Sequence, residues 1–218
     1  MPVLRMFPLN TVVFPGQDIP LHIFEPRYQQ LVREVLDEDA EFGIALIREG
    51  RAEGGGAVPV DVGCAVHIVE AEELPGGRWE IACEGTRRFR IRESLGEDPF
   101  LRCDVEFLEV PADSDSEATV AAMAEVLTAY SQHLQLTLGL VDSWQRSFPL
   151  PPDPAELGDL VAGRMEIPAA VKQEILEAPE IARRLEMLIK VLEVENAQLV
   201  SRLEAHRRVR YAGLGILN

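Results

Sequence analysis

Hydrophobic and polar residues follow two different periods along this chain, and the change falls near Pro111. Before it the pattern is that of strands. Phe42 to Arg48 is a short apolar run, as a buried strand requires. Residues 62–73 form a second strand, Leu74 to Arg78 (Leu-Pro-Gly-Gly-Arg) is a hairpin connection, and residues 79–84 return antiparallel to it. Arg88 to Arg92 alternates strictly, placing Phe89 and Ile91 on one face and Arg88, Arg90 and Arg92 on the other. Residues 100–110 supply a further long strand, with Arg102, Asp104 and Glu106 alternating outward, and the glycines at 54–56 mark a mobile loop. One helix interrupts these strands. It begins at Pro26, whose missing amide hydrogen suits a first helical position, and it carries Tyr28, Leu31, Val32 and Val35 as an apolar stripe up to Asp37-Glu-Asp39. Several strands with mixed connections and one early helix predict a small, twisted, partly closed barrel.

After Pro111 the apolar spacing becomes helical. Ser114-Asp-Ser-Glu117 has the spacing of a capping box, in which serine and glutamate satisfy the free amides of a helix start. Val120, Met123, Leu127, Tyr130 and Leu134 follow at helical spacing, and Gly139 offers a stop. Asp153-Pro-Ala-Glu156 opens another helix by the same means, with Leu157, Leu160 and Val161 inside, and Pro168 and Pro179 sit at two further helix starts. From Pro179 to about Arg210 nothing breaks the helix, a length of ~45 Å. Its stripe of Ile181, Leu185, Leu188, Leu192, Leu199 and Leu203 reads as the core of a bundle, the other use being a seam for self-association through this C-terminal helix. Arg207, Arg208 and Arg210 suit the negative end of its dipole. The fold class is therefore α+β: residues 1–112 form a twisted β domain with one helix, and residues 113–218 form an α-helical bundle with a long last helix.

Charge narrows the function more than the fold. Acidic residues outnumber basic ones by 37 to 21, for a formal net charge of −16, and residues 1–112 alone hold 21 acidic and 11 basic side chains. Such a field repels phosphate backbones, so general nucleic-acid binding is not expected. No run approaches the ~18 apolar residues of a membrane span, and the N-terminus lacks the features of a secretion signal, so the cytoplasm is the expected compartment and no membrane contact is foreseen.

Candidate chemistry is sparse. The three cysteines, Cys64, Cys83 and Cys103, form no C-x-x-C pair and fall in phase with apolar neighbours on strands, which makes them core thiols rather than metal ligands. No phosphate loop occurs, and the two lysines, Lys172 and Lys190, both read as solvated. His22, His67, His133 and His206 are scattered, without a nucleophile elbow or a paired-histidine zinc motif. The carboxylate pairs Glu72-Glu73 and Glu97-Asp98 border turns and read as solvated too. No catalytic residue, cofactor or metal is expected.

Residues 8–28, PLNTVVFPGQDIPLHIFEPRY, pack four prolines, a glycine and an alternating apolar run ahead of the helix at Pro26. Their ending, His22 to Tyr28 (H-I-F-E-P-R-Y), resembles the signature of the Lon N-terminal, or Lon substrate-binding, family. Glu84-Gly-Thr-Arg-Arg-Phe-Arg-Ile91 is similar to the family's second motif, a glycine turn followed by an arginine-rich strand. Leu150 to Pro154 and Leu176 to Glu180 resemble its helical portion more loosely, so the resemblance spans nearly the whole chain. It implies a PUA-like twisted β pseudo-barrel followed by a helical bundle. In the full-length protease this region precedes the ATPase and peptidase domains, helps to select substrates and helps to assemble the hexamer. Ending at Asn218, the chain resembles a stand-alone version of it.

The expected function is thus a non-catalytic module that binds unfolded or exposed apolar protein segments, with an ATP-dependent protease as an implied partner. A guest could lie between barrel and bundle, or add a strand to a sheet edge. The candidate residues are His22, Phe24, Glu25, Arg27 and Tyr28 at the strand-to-helix junction, with Phe24 and Tyr28 leaving part of their surface on a groove. Arg88, Arg90 and Arg92 are candidates as a small basic patch for an acidic segment. The competing reading is architectural: Phe24 and Tyr28 pack, Glu25 and Arg27 pair with neighbours, and the arginines pair across strands. The alternatives in function are a PUA-like RNA-binding module, which the acidic β half disfavours, and a small-ligand pocket, whose aromatic cage would need Trp79 and Trp144 brought together.

Overall fold

The computed structural model describes residues 2–140 and 149–212, with side chains as far as His206; Trp144 and the side chains of Arg207, Arg208 and Arg210 lie outside the described residues. In chain order the elements are β1 (Val3–Leu9), β2 (Asp18–Ile23), α1 (Pro26–Glu38), β3 (Phe42–Glu49), β4 (Val58–Pro59), β5 (Val62–Leu74), β6 (Arg78–Gly96), β7 (Arg102–Phe107), α2 (Glu117–Leu140), α3 (Pro154–Arg164), α4 (Ala169–Glu177) and α5 (Ile181–Ala212). They form a mixed structure of a twisted sheet and, among the described residues, five helices. One unit runs to Val110 and takes in Ala162–Ala178; the other holds Pro111–Val161 and the chain from Pro179.

The strand pairings of the first unit close on themselves. β1 pairs parallel with β3 and antiparallel with β7, while β3–β5, β5–β6 and β6–β7 are antiparallel, so five strands complete a ring. β2 hangs from β6, and β4 from β3. So few strands leave a narrow interior. Leu4, Met6, Ala45, Ala65, Phe89, Cys103 and Val105 fill it. Gly43 and Gly63 make the room: a Cβ at Gly63 would stand 2.5 Å from the Phe89 ring and 2.4 Å from the Ile44 carbonyl oxygen, and one at Gly43 would stand 2.6 Å from the Met6 sulfur.

A second core lies on the outside of the ring. The predicted stripe of α1, Tyr28, Leu31, Val32 and Val35, is buried against Phe42, Ile44, Cys64, Val66, Ile81 and Cys83. All three cysteines are buried, as their phase implied. Burial pushes the Cys83 thiol up to about 12 and the Cys103 thiol up to about 11, so neither ionises near neutral pH.

β6 departs from expectation. It is one strand of 19 residues, not two strands about a glycine turn. Gly85 stays within the strand because the 14–17 segment crosses it: Gly16 N–H donates to Gly85 O at 2.7 Å and Gly85 N–H to Gln17 O at 2.9 Å. A Cβ there would lie 2.1 Å from the Phe14 carbonyl oxygen. Just beyond, Val66 opposes Gly85 while Ala65 opposes Arg87, so Thr86 is an extra residue, a bulge whose hydroxyl donates to Ala65 O at 3.1 Å. A one-residue slip exchanges the two faces of a strand. Ile81 and Cys83 therefore serve the outer core, and Phe89 and Ile91 the inner one.

The same slip turns Arg88 toward the outer side, opposite Cys64. There it is 7% exposed, and its Nε–H donates to Leu176 O of α4 at 3.2 Å. Gln173 of α4 donates to Val62 O at 2.9 Å. Lys172 is not solvated as expected. It is half-buried, burial draws its pKa down, and its Nζ donates to Gly163 O at 2.9 Å, in the last turn of α3.

In the second unit α2 buries Thr119, Ala122, Val126 and Tyr130, whereas Val120 of the expected stripe is 57% exposed. Thr119 sets this phase. Its N–H donates to Ser116 Oγ at 3.1 Å, which makes Ser116 rather than Ser114 the cap, and its hydroxyl donates to Asp113 Oδ2 at 3.3 Å. Gly139 stands against Leu203 one residue before the described end of α2 at Leu140. On the α5 stripe, Ile181, Leu185, Leu188, Leu192 and Leu199 are buried within the chain, and Leu203 is half-buried. Asn196 interrupts it, holding His133 Nδ1 at 3.0 Å and donating to Ala129 O at 2.9 Å, a polar contact that fixes the register of α5 on α2. No helix among the described residues is long and apolar enough to cross a membrane.

Asp113 ties this unit together. Its carboxylate accepts the N–H groups of Ile181 at 3.2 Å and Ala182 at 3.1 Å, the first free amides of α5. Burial pushes its pKa up, but the amide bonds outweigh burial and hold it below the usual carboxylate range. A folded-state pKa below the unfolded one adds stability above the unfolded value, and that stability is lost as pH falls through the folded value. Asp113→Ala should therefore cost the unit roughly 1 kcal/mol at neutral pH. In urea unfolding followed by circular dichroism, the variant's deficit should shrink as pH falls below about 4.

Candidate functional site at the β2 edge and the strand-to-helix corner

Alternation along β2 turns Ile19, Leu21 and Ile23 to the outer core, and Asp18, Pro20 and His22 to the opposite face. The strand pairs with β6 from Asp18 opposite Glu84 to Ile23 opposite Trp79, and its other margin meets no strand among the described residues. Gly85 N–H bonds Gln17 O, and bonded and non-bonded pairs alternate in an antiparallel ladder. The main-chain groups of Asp18, Pro20 and His22 therefore face the open margin. Pro20 stands where it has no amide hydrogen to leave unpaired, the position in which an edge strand tolerates proline.

The corner that follows is held from several sides. Pro26 opens α1, and Tyr28 is 4% exposed, its ring 4.2 Å from that of Phe7. Burial pushes the Tyr28 hydroxyl up to about 12. The Arg27 guanidinium lies 4.3 Å from the centre of the Tyr28 ring, and it donates to Glu25 Oε2 and to Ala52 O, each at 3.2 Å. Glu25 also accepts Gly54 N–H at 3.2 Å, and Glu97 accepts Gly56 N–H at 2.8 Å while lying 3.6 Å from Arg27. The glycine loop is thus pinned to the corner by Glu25, Arg27 and Glu97. Tyr28 is thus buried, and the side chains of Glu25 and Arg27 are largely covered.

His22 and Phe24 do. Both are exposed, Phe24 by 49%, and their rings stack at 6.2 Å. His22 Nδ1 lies 3.8 Å from Glu80. Beside them a groove of about 550 Å³ runs across β2, β6 and β5, with Pro20, His22, Glu70, Glu72, Glu80 and Ala82 along it.

The three candidate arginines are not brought together. Arg88 is buried beneath α4, Arg90 remains exposed, and Arg92 is paired with Glu106. They form no joint basic patch. Arg87, unremarked in the sequence, is instead the residue that lies over Phe107, 3.6 Å from the ring centre, and bonds Glu41 at 2.7 Å. Sequence reasoning also missed Glu97, which read as a solvated turn residue and engages Arg27 from 70 positions away; no local pattern announces such a pairing. A further groove of about 420 Å³ opens at the mouth of the ring, with Ile91, Leu101 and Cys103 at its floor and Arg48, Asp61 and Glu97 on its rim. Trp79 packs on the outer core. Among the described residues no group of His, Cys, Asp and Glu side chains is placed to hold a metal ion.

Residues 3–194 match the family model of the ATP-dependent protease La (LON) substrate-binding domain. The chain belongs to that family. Among curated relatives, the Lon protease of Methylocella silvestris is 30% identical over 184 residues, covering 83% of the chain and 22% of its own length. That of Escherichia coli is 28% identical over 214 residues, covering 96% of the chain and 26% of its own length. The chain thus spans about a quarter of the curated relatives it matches. Among solved structures, a Lon N-terminal domain protein from Xanthomonas campestris superimposes with a TM-score of 0.63 at 26% identity, covering 87% of this chain and 98% of that one. The N-terminal domain of the Mycobacterium avium complex Lon protease, at 18% identity, a TM-score of 0.63, and coverage of 88% of this chain and 98% of that one, shares the fold.

Arg27→Ala should free the loop without unfolding the Lon-type β unit. Partly exposed ion pairs contribute only about 0–1 kcal/mol, so thermal stability should change little while hydrogen exchange at Gly54 and Gly56 accelerates.

Proposed function

We propose that this chain is a non-catalytic substrate-recognition module, which holds unfolded or exposed apolar segments of other proteins for an ATP-dependent protease. The observation that carries this reading is the match of residues 3–194 to a family of substrate-binding domains. The geometry of β2 supports it. An unfolded segment offers unpaired main-chain groups and apolar side chains; an open strand margin accepts the first, and the half-exposed Phe24 accepts the second. Of the candidate residues, we assign guest contact to His22 and Phe24. Glu25, Arg27 and Tyr28 hold the corner from which those two project. We read the closed ring with its outlying strand as a PUA-like pseudo-barrel that keeps this margin rigid. Rigidity lowers the ordering cost of binding to that of the guest alone.

A second reading, a small apolar ligand, is favoured by the groove at the ring mouth, whose floor of Ile91, Leu101 and Cys103 continues the inner core. An RNA-binding reading gains nothing from Arg88, Arg90 and Arg92, since Arg88 is buried and Arg92 is paired.

The test is whether the purified chain, without ATP, slows aggregation of a chemically denatured client as followed by light scattering. Phe24→Ser should weaken that capacity about fivefold, the equivalent of ~1 kcal/mol of lost apolar contact. Because Phe24 is half-exposed, the folding stability of the variant should stay within about 0.5 kcal/mol of the parent.

A further inference from the structure

We infer that the open margin of β2 selects extended segments in which lysine or arginine alternates with apolar residues. The inference rests on the substrate-recognition reading above and names the chemistry of its guest. A strand added beside β2 would turn successive side chains to opposite faces. On one face it would meet the groove, where the pairing aligns Glu72, Glu80 and His22 in one row and Glu70, Ala82 and Pro20 in the next. Three carboxylates stand there, and no lysine or arginine lines the groove.

Among the described residues some carboxylates of this unit are matched and others, Glu84 and Glu93 among them, are not; the groove differs in holding three together. Glu34 and Glu38 pair with Arg5, Glu41 with Arg87, Glu73 with Arg33, and Glu106 with Arg92. Glu70 and Glu72 meet no cation among the described residues, and Glu80 has only His22 at 3.8 Å. A guest residue beside His22 would sit two strand spacings from Glu80, about 10 Å between backbones. A lysine and a glutamate side chain laid across the groove close that span. Phe24, at the end of the same face, offers its ring to a passing cation. On the opposite face the guest would run beside Ile19 and Leu21, both half-buried and apolar. Cationic residues on one side and apolar residues on the other make an alternating pattern.

The test is fluorescence anisotropy on the full chain with short labelled peptides in which valine alternates with lysine, serine or glutamate. The lysine peptide should bind about tenfold more tightly than the serine peptide, and the gap should close as salt rises. Replacing Glu70→Gln, Glu72→Gln and Glu80→Gln together should abolish that advantage and leave serine-peptide binding unchanged. Methylating alternate amides of the lysine peptide should abolish binding if it adds as a strand. Glu80→Lys, tested separately, should shift preference toward the glutamate peptide, a gain that a misfolded variant could not produce. Equal binding of lysine and serine peptides, or an unchanged preference in both variants, would overturn the inference while leaving the recognition reading standing. Failure of all three peptides to bind would overturn both.

Discussion

Closing five strands into a ring is the constraint on which the β unit depends. The interior is too narrow for ordinary side chains at every inward position, so Phe89 and Met6 fill it only because residues 43 and 63 are glycine and residues 45 and 65 are alanine. β6 must then serve two masters. Its later part faces the ring interior, and its earlier part must face the outer core beneath α1. The bulge at Thr86 reconciles them by exchanging the faces within a single residue.

The placement of β2 follows from that compromise. The segment before it crosses Gly85 so closely that no side chain fits there, and it then lays β2 along the earlier part of β6, outside the ring. An open strand margin invites unwanted pairing. Here it is short, interrupted by Pro20 and flanked by carboxylates, which limits self-association. The function proposed for this edge asks for both access to a guest and restraint against its own copies.

Much of this was legible from period alone. The stripe of α1, the three core thiols and the start at Pro26 all follow from local spacing, which the structure reproduces residue by residue. Within the candidate site, the strand-to-helix corner and the exposure of Phe24 were readable, since both arise within a few residues. What failed to show has a shared cause. Gly85 looks like a turn because the reason for it, the carbonyl of Phe14, is far along the chain. Arg88 looks like a partner of Arg90 and Arg92 because a bulge leaves no mark in an alternating pattern. Arg27 reaches Glu97, and Glu70 and Glu72 meet Glu80 only once β5 and β6 are paired. Each is a tertiary contact that local pattern does not encode.

The central claim is that the guest lies along β2. Hydrogen–deuterium exchange on the full chain, with and without saturating unfolded client, tests it most directly. The account predicts slowed exchange in the segment from Asp18 to Phe24, with α2 and α5 unchanged. Protection confined to the helices or to the ring mouth, with β2 exchanging as in the free chain, would contradict it.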